Sequence, residues 1–398
     1  MPSIRSLDAY EVPVRLKQKV KHASHERDAN QTLIVRCELS TGEVGWGEGL
    51  PREYVTGETN LSVQSQLQAT DFSRWADQSI DSPTAAIAAI DQLRLGEAHC
   101  DTDLQQRGCF GNSVRCALEL ALLDAVTQHF GIPLGHVVRE IPEGRDLQHY
   151  ADVVRYSGVI TSCAGWRQWR SAVKMKVYGF RQVKVKVGSS GIDDTVLLSR
   201  IRRGLGQKVD LRLDANEAWD ASELQQRLQP LLRFGISSVE QPVPHAQVQD
   251  LAQLRSELDV PIMLDESLCS REDADRAISG GYCDLFNLRL SKCGGFVACV
   301  RLAALARTHG LGYQLGCQVG ETGILSAAGR HFACNVGQIR YLEGSYDRFL
   351  VYDRLTDEDL TFGFGGHAPA LTKPGLGVTL QDAKIRSLGT WQHPLIRS

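Results

Sequence analysis

The sequence predicts an α/β protein in which parallel strands and helices alternate to form a (β/α)8-type barrel. From about residue 150, short runs rich in β-branched and other apolar residues alternate with amphipathic helical stretches. Eight such runs follow one another, and parallel strands need helical crossovers between them. A doubly wound open sheet is the alternative, but no glycine-rich dinucleotide-binding motif follows an early strand.

The region before the barrel is predicted to mix strands and helices. The runs "TLIVRCEL" and "STGEVGWGEG" indicate a hairpin, because two β-rich runs flank a Ser-Thr-Gly turn. A helix is predicted from Ser113 in "SVRCALELALLDAVTQHFG", which is apolar on a helical period and ends at Gly131, followed by Pro133.

The eight predicted barrel strands share short length and apolar, β-rich composition. They are "YSGVI" at 156–160, "QVKVKV" at 182–187, "DLRLD" at 210–214, "ISSVE" at 236–240, "PIMLD" at 261–265, "LFNLRL" at 285–290, "GYQLGC" at 312–317 and "IRYLEG" at 339–344. The chain from about Tyr352 is rich in Gly and Pro and includes "GLGVTLQDAKI". We expect it to return to the earlier part of the molecule rather than form a domain of its own.

Composition narrows the class of protein. A chain of 398 residues, of which 42% are hydrophobic, can bury a large core, and we expect it to form more than one domain. The formal net charge of −3 gives no electrostatic footprint for nucleic acid or an anionic membrane. The 11 cysteines are odd in number and include no C-x-x-C pair, so we expect reduced thiols in a cytoplasmic protein without a signal peptide or transmembrane segment.

Polar residues stand at the ends of successive apolar runs, at a regular spacing along the chain. Lys186, Asp214, Glu240 and Asp265 stand about one βα unit apart, and the carboxyl ends of parallel barrel strands share one rim. Three carboxylates meeting there form a hard-oxygen site suited to Mg²⁺ or Mn²⁺, and no His and Cys cluster indicates a softer metal. For any one of these acids, capping of the following helix is the alternative explanation.

Two lysines in "FRQVKVKVG" predict proton-transfer chemistry. Lys184 and Lys186 lie on one face of the strand because successive side chains alternate. A lysine beside another ammonium and near a metal has its pKa lowered, which suits a general base. A base and a divalent cation together suit removal of a proton next to a carboxylate, since the cation stabilises the enediolate charge.

These residues lie in motifs that resemble the enolase superfamily. In order, "KVKVG", "DANEAW", "EQPV", "DES" and "NLRLSKCGG" resemble its motifs, most closely those of the muconate-lactonizing and mandelate-racemase branches. "GEGLPREYVTGET", "ALELALLDA" and "KPGLGV" extend the resemblance to most of the chain. It implies a modified (β/α)7–8 TIM barrel at 136–355, an α+β capping domain at 1–135, a segment at 356–398 that returns to the cap, and a homo-oligomer.

The resemblance also implies roles for individual residues. Mg²⁺, or Mn²⁺ in its place, would bind Asp214, Glu240 and Asp265, with Lys186 as the general base and Lys184 as its partner near the substrate carboxylate. The residues that match positions around the metal or the rim are Asn216, Glu266, Asn287 and Glu321. Specificity is expected from the cap loops "KVKHASHERDAN" and "EGLPREYVTGET", which carry His22, His25, Tyr54 and Thr56.

Arg289 departs from the family pattern. Muconate-lactonizing enzymes and related epimerases carry a second catalytic lysine there, and "YQLGCQVGE" lacks the histidine of the mandelate-racemase branch. Lys292 matches a different basic position, just before the family's Gly-Gly, and falls on the opposite face from Arg289 by strand alternation. Arginine stays protonated, so we expect Arg289 to bind or stabilise substrate while Lys186 transfers the proton. An ion pair between Arg289 and a rim carboxylate is the alternative.

The sequence therefore predicts a Mg²⁺-dependent lyase or isomerase acting on a small carboxylate substrate. A single base favours cycloisomerisation of the muconate-lactonizing type or elimination. A dipeptide or amino-acid epimerase is the alternative, and it needs a second group to serve the other face of the carbon. A non-catalytic metal-binding relative is the alternative of another class.

Overall fold

The computed structural model describes residues 1–21, 26–100, 106–161 and 165–397. These residues form a mixed α/β protein with an eight-stranded parallel sheet curled into a barrel and a four-stranded antiparallel sheet before it. All eight runs predicted as barrel strands are strands, so the predicted fold class is confirmed.

The antiparallel sheet is built from both ends of the chain. Its strand order is β14-β1-β2-β3, and the predicted hairpin is the pair β2 and β3. A separate two-stranded sheet pairs β4 with β13. The bounds are β1 Ile4–Lys21, β2 Glu26–Leu39, β3 Val44–Gly49, β4 Val153–Arg155, β13 His367–Pro369 and β14 Trp391–Arg397.

One long, buried helix covers this sheet. The helices of the region are α1 Glu53–Thr56, α2 Asn60–Ala69, α3 Ser73–Asp77, α4 Pro83–Gln92 and α5 Asn112–His129. α5 is the helix predicted from Ser113, and it packs on β3 through three glycines spaced two residues apart. A Cβ on Gly47 would lie 1.8 Å from the carbonyl oxygen of Ala117. Glycine is therefore required for the helix and strand to come this close.

The barrel strands are buried on both faces, as expected of a parallel sheet covered by helices. In β7 the residues Leu211 and Leu213 alternate with Arg212 and Asp214, which point to the opposite face. The bounds are β5 Gly158–Ile160, β6 Gln182–Lys186, β7 Asp210–Asp214, β8 Ile236–Glu240, β9 Ile262–Leu264, β10 Leu285–Leu288, β11 Gly312–Leu315 and β12 Ile339–Leu342.

Helices connect the barrel strands, and polar side chains cap several of them. Asp193 accepts hydrogen bonds from Thr195 N and Val196 N at the start of α7, and Ser270 accepts one from Asp273 N at the start of α10. The helices are α6 Trp166–Val177, α7 Asp194–Leu205, α8 Leu224–Leu232, α9 Leu251–Leu254, α10 Arg271–Gly280, α11 Phe296–Thr308, α12 Gly323–Asn335, α13 Asp347–Leu350 and α14 Asp382–Leu388. Short 3-10 helices span Leu134–Glu140, Pro142–Leu147, Ala221–Glu223, His245–Asp250, Arg255–Glu257 and Phe364–Gly366.

The first and last barrel strands meet without a regular ladder. Ser157 N, directly before β5, donates to Leu342 O at the end of β12 over 2.8 Å. The Tyr346 hydroxyl donates to Ser157 O over 2.7 Å, and Gln182 Nε2 donates to Arg340 O over 3.2 Å. These hydrogen bonds close the barrel, which brings the ends of β6 and β12 close together.

Buried carboxylates join the antiparallel region to the barrel. Glu48 of β3 accepts hydrogen bonds from Thr322 N over 2.8 Å and Leu325 N over 3.0 Å at the start of α12. Glu119 of α5 accepts one from Val297 N over 3.0 Å at the start of α11. These acids supply acceptors to backbone N–H groups that a helix leaves unpaired at its first turn.

Two general features follow from the described residues. Their cysteines are all free thiols. Among the described segments, none of the helices combines the length and apolar character needed to cross a lipid bilayer.

Candidate active site

The polar residues predicted at the strand ends share one rim of the barrel. Lys186, Asp214 and Glu240 are the last residues of β6, β7 and β8, and they are paired in register across the sheet. Asp265 directly follows β9, and Arg289 directly follows β10. Because each of five successive strands ends at or just before one of them, the five charged residues lie together at the carboxyl end of the sheet.

Lys184 lies among three carboxylates in the barrel interior. Its Nζ is 3.2 Å from Asp214 Oδ2, 3.3 Å from Glu240 Oε2 and 2.9 Å from Glu343 Oε2. Burial opposes the charge, but Glu240, Glu343 and Asp214 together hold the pKa of Lys184 well above its usual value. These carboxylates therefore favour the charged form of Lys184, which was predicted as the partner of the base rather than the base itself.

Arg289 is also paired with carboxylates. Its Nη2 contacts Asp265 Oδ2 and lies 3.5 Å from Glu240 Oε1. Burial opposes the charge of Arg289, yet Asp265 foremost holds its pKa well above the usual value. The ion pair left as the alternative for Arg289 is present in the structure, while its contact with substrate stays a prediction.

Lys292 lies on the same carboxylate as Arg289. Its Nζ is 2.9 Å from Asp265 Oδ1 and 2.9 Å from Asn287 O. Strand alternation placed these two cations on opposite faces, which is wrong because β10 ends at Leu288 and the chain turns after it. Lys292 is fully buried, and it fixes Asp265 from one side while Arg289 contacts it from the other.

Lys186 has a different environment from the other cations. Its Nζ donates to the neutral Oδ1 of Asn216 over 2.6 Å, and its side chain is half-buried. Asn216 in turn donates through Nδ2 to Glu266 Oε1 over 3.2 Å. Asn216 and Glu217 adopt positive φ of 43° and 65°, a turn directly after β7 that aims the Asn216 amide at Lys186.

The pKa values of the three rim carboxylates are shifted in different directions. Burial opposes ionisation of Asp214 and Asp265, but Lys184 with Lys186 and Arg289 with Lys292 hold their pKa values below the usual range. Burial raises the pKa of Glu240 to about 8, and its neighbouring acids add to this effect.

The donor set fits a hard divalent cation. Three buried carboxylates at adjacent strand ends provide the oxygen atoms that Mg²⁺ prefers. As the side chains stand, however, no group of three His, Cys, Asp or Glu within the described residues has its ligand atoms placed so that it could hold a metal ion. Lys184 instead bridges Asp214 and Glu240, and Arg289 bridges Glu240 and Asp265. A cation that binds these oxygens must displace part of these contacts.

Sequence reasoning missed two charged residues of the barrel interior, Glu343 and Arg212. Glu343 directly follows β12 and contacts Arg212 Nη2 as well as Lys184. Burial opposes ionisation of Glu343, but Lys184 and Arg212 hold its pKa down to about 2. The sequence contained a signal for both residues. Glu343 lies near the end of the eighth predicted strand, as the other acids lie at the ends of theirs, and Arg212 shares the strand face of Asp214.

Glu321 lies on the loop after β11, close to the rim. Its Oε1 accepts a hydrogen bond from Gln318 N over 2.7 Å, and burial raises its pKa to about 8. It lines a small cavity together with Leu290 and Glu343. Asn287, also predicted near the metal, is fully buried and donates through Nδ2 to Glu240 Oε1 over 2.8 Å.

Comparisons with known proteins identify the family. The family model described as "Enolase C-terminal domain-like" matches residues 168–384, more than half of the chain. The chain belongs to the enolase superfamily. The members to which it is similar include the hydrophobic dipeptide epimerase of Enterococcus faecalis, 28% identical over 94% of this chain and 94% of that protein. Muconate cycloisomerase 1 of Pseudomonas putida is 26% identical over 96% of each chain.

The solved structure of another protein has the same fold as this chain. The dipeptide epimerase of Cytophaga hutchinsonii, complexed with Mg and the dipeptide D-Ala-L-Val, is 24% identical and superposes with a TM-score of 0.82. The match covers 99% of this chain and 100% of that chain. This likeness confirms the predicted fold, and the family match confirms the predicted resemblance.

Residues that precede the barrel in the chain contact the loop that carries Glu321. Asn30 Nδ2 and Arg52 Nη2 donate to Val319 O over 2.9 Å and 3.2 Å. Tyr54, predicted at the substrate site, accepts a hydrogen bond from Arg27 Nη1 over 3.1 Å. The predicted roles of Tyr54 and of the rim residues stay predictions. His22 and His25 lie outside the described residues, and Thr56 is buried with its hydroxyl donated to Glu58.

Proposed function

We propose that this enolase-superfamily protein is a metal-dependent lyase or isomerase in which Lys186 removes a proton next to a substrate carboxylate. The contrast among the rim cations supports this. Lys184, Arg289 and Lys292 are each paired with carboxylates, whereas Lys186 contacts the neutral amide oxygen of Asn216. Among the described residues, Lys186 is therefore the rim lysine whose ammonium group is not held in a salt bridge.

The residues that would hold Mg²⁺ are Asp214, Glu240 and Asp265. When bound, the cation would supply Lewis-acid stabilisation of negative charge on the substrate carboxylate. Lys184 stays positive beneath this carboxylate group and offsets part of its charge. The hard-oxygen chemistry of the donors and the superfamily membership support Mg²⁺.

Single-base chemistry follows from the environment of Arg289. A guanidinium stays protonated in proteins, and Asp265 and Glu240 hold it further in that state. Arg289 therefore lacks the proton-transfer capacity of a second lysine. This favours cycloisomerisation or β-elimination, in which one base serves one face of the carbon. The similarity to muconate cycloisomerase supports the same choice.

Dipeptide or amino-acid epimerisation is the second candidate. The similarity to the hydrophobic dipeptide epimerase favours it. Epimerisation must deliver a proton to either face of the α-carbon, so it would require a group opposite Lys186 to donate one. Arg289 occupies that family position in this sequence.

The proposal includes the division into a cap at 1–135, a barrel at 136–355 and a returning segment at 356–398. Pairing of β14 with β1 supports the return of the last segment to the cap. The contacts of Asn30 and Arg52 with Val319 support a substrate site closed by the cap. The free thiols suit a reducing compartment such as the cytoplasm.

Deuterium exchange tests the reaction. The full chain with Mg²⁺ in D₂O would be incubated with muconates, dipeptides, N-acylamino acids and sugar acids, and α-deuterium measured by NMR and mass spectrometry. We expect incorporation with one stereochemistry, abolished by chelator and by Lys186→Met. The matched control Lys208→Met changes an exposed lysine and should keep full exchange.

The other outcomes separate the alternatives. Deuterium at both stereochemical positions would exclude single-base chemistry and support the epimerase. Exchange that persists in Lys186→Met would exclude Lys186 as the base. Absence of exchange with Mg²⁺ binding retained would support the non-catalytic metal-binding alternative, and absence of Mg²⁺ binding would reject the metal assignment.

A further inference from the structure

An apolar stripe runs along the solvent side of α6, which spans Trp166–Val177. Its members stand three or four residues apart, so they share one side of the helix. They are Trp166, Trp169, Val173 and Val177. Trp166 is 70% exposed and Val177 is 71% exposed, whereas Gln168 and Ala172 on the opposite side are buried. The stripe therefore faces away from the core of the protein.

Aromatic rings lie at both ends of this stripe. Trp166 and Trp169 stack with their ring centroids 5.0 Å apart and an interplanar angle of 14°. At the other end, Phe364 is 70% exposed, and its ring centroid lies 6.0 Å from that of Tyr178, the residue after α6. We call the stripe and Phe364 together the α6 ridge. Exposed apolar side chains gathered along one ridge indicate a surface that binds a partner.

Basic side chains surround the α6 ridge. α6 contains no acidic residue, and α7 lies against it, because a Cβ on Gly204 of α7 would be 2.7 Å from the Cβ of Ala172. Within the described residues, none of the exposed cations of these two helices forms a salt bridge. These cations are Arg167, Arg170, Lys174, Lys176 and Arg203. The formal net charge of −3 averages over the whole chain, so it does not reveal this local concentration of positive charge.

The cations lie on both sides of the stripe. Arg170 and Lys174 lie on one side of it, as the helical period requires. Lys176 lies on the other side, towards α7, where its Nζ is 3.5 Å from the position of a Cβ on Gly206. A partner of this surface must therefore match an apolar centre with a cationic border.

An anionic lipid bilayer matches both parts of this surface. Apolar side chains enter the boundary between headgroups and acyl chains, while the stems of Lys and Arg side chains bring their charges to the anionic headgroups. Tryptophan favours this depth because its ring is apolar and its indole N–H is polar. Neighbouring cations add electrostatic attraction to an anionic leaflet.

Other partners match one part only. A second copy docked by two-fold symmetry through the same ridge would bring the cations of both α6 helices together, which is unfavourable. Nucleic acid would attract the cations but leave Val173 and Val177 without an apolar partner. A bilayer also adapts to the convex shape of a helix, which a protein partner must match with a groove.

We propose that the α6 ridge docks the protein on an anionic lipid bilayer, with α6 parallel to the membrane plane. The helices of a barrel run alongside its strands, so the barrel axis then lies along the membrane and the rim stays open to solution. Docking is independent of the proposed reaction, because the ridge lies on the outer wall of the barrel and the rim carboxylates lie at the ends of its strands.

Vesicle co-sedimentation of the full chain tests this docking. Vesicles of phosphatidylcholine and phosphatidylglycerol in equal parts would be compared with vesicles of phosphatidylcholine alone at low ionic strength. We expect a partition coefficient about tenfold higher on the anionic vesicles. Trp166→Ser and Val177→Ser should each lower it about tenfold, because each removes an inserted apolar side chain. Arg170→Gln combined with Lys174→Gln should lower it by a similar factor, about tenfold.

Matched controls separate the α6 ridge from the rest of the surface. Leu61→Ser changes a 75% exposed apolar side chain of α2, and Arg340→Gln changes an exposed arginine of β12. Both should leave the partition coefficient unchanged. Circular dichroism would check the fold of each variant. If Trp166→Ser does not fold because Trp169 loses its stacked ring, Val177→Ser carries the test at an exposed position.

Fluorescence quenching would locate the contact. Phosphatidylcholine brominated on its acyl chains, mixed with phosphatidylglycerol, should quench tryptophan emission in the parent protein and quench it less in Trp166→Phe. Equal partition on both vesicle types, or partition that survives the α6 substitutions, would overturn the proposal. Self-association that is lost in Trp166→Ser, measured by analytical ultracentrifugation, without vesicle binding would overturn it in favour of a second copy. Binding to single-stranded RNA without vesicle binding would overturn it in favour of nucleic acid.

Discussion

At the scale of residues, cations and carboxylates alternate along the rim. Lys184 joins Asp214 to Glu240, and Arg289 joins Glu240 to Asp265. Each buried charge has a partner of opposite sign, which offsets the cost of removing it from water. The same contacts occupy oxygen atoms that a divalent cation would bind, so affinity for the metal reflects competition with these side chains.

The first prediction concerns Arg289. Arg289→Met should increase Mg²⁺ affinity about tenfold, because the substitution removes a positive charge and frees oxygens of Glu240 and Asp265. Titration calorimetry at fixed ionic strength would measure the dissociation constant. Arg340→Met, which removes an exposed charge, should leave the constant unchanged. Unchanged or weaker binding by Arg289→Met would show that its guanidinium does not compete with the metal.

The sequence could predict those residues whose position follows from the regular spacing of the strand ends. The rim acids stand at strand ends one βα unit apart, so their convergence follows from the barrel alone. The partners of Lys184 could not be predicted, because alternation gives the face of a side chain and not its contacts. Lys292 shows the limit, since β10 ends at Leu288 and the alternation that placed Lys292 on the opposite face from Arg289 does not continue beyond it.

At the scale of elements, close packing of α5 on β3 fixes the cap. Gly45, Gly47 and Gly49 face the carbonyls of Ala121, Ala117 and Ser113, each a Cβ clash of 2.2 Å or less. Glycines two residues apart in β3 thus lie against residues four apart in α5. The predicted hairpin and helix are confirmed, but their contact could not be predicted because neither pattern specifies which faces meet.

The second prediction concerns this contact. Gly47→Ala should destabilise the protein by about 3 kcal/mol, because the backbones of β3 and α5 must separate to admit a methyl group. Urea unfolding followed by circular dichroism would measure the loss. Gly329→Ala is the matched control, since its Cβ would meet only Leu315 at 3.7 Å and a helical alanine is favoured over glycine. Equal stability of both variants would contradict the packing account.

At the scale of the whole molecule, buried acids of β3 and α5, the elements of the proposed cap, connect these elements to the barrel. Glu48 and Glu119 lie in cap elements and accept hydrogen bonds from the first turns of α12 and α11. Burial raises the pKa of Glu48 to about 7 and that of Glu119 to about 8. In the unfolded chain the pKa of glutamate is about 4.3. The folded protein therefore retains protons on these acids at a pH where the unfolded chain has released them.

The third prediction follows from the sign of this difference. A group whose pKa is raised by folding stabilises the protein fully below its unfolded pKa, and this stabilisation is lost as pH rises through the folded value. The free energy of unfolding should therefore fall between about pH 5 and pH 8. Glu119→Gln imitates the protonated acid and can still accept the hydrogen bond of Val297 N, so it should remove up to about 4 kcal/mol of this decline.

Urea unfolding at pH 5, 6, 7 and 8 would measure the decline for the parent protein and for Glu119→Gln. The control Glu97→Gln changes an exposed glutamate of the same charge and should keep the slope of the parent protein. A decline in Glu119→Gln as steep as in the parent would show that Glu119 releases its proton without cost at the interface. A shallower decline would identify the junction of cap and barrel as the part of the molecule that weakens with rising pH, because Glu119 joins α5 to α11 across that junction.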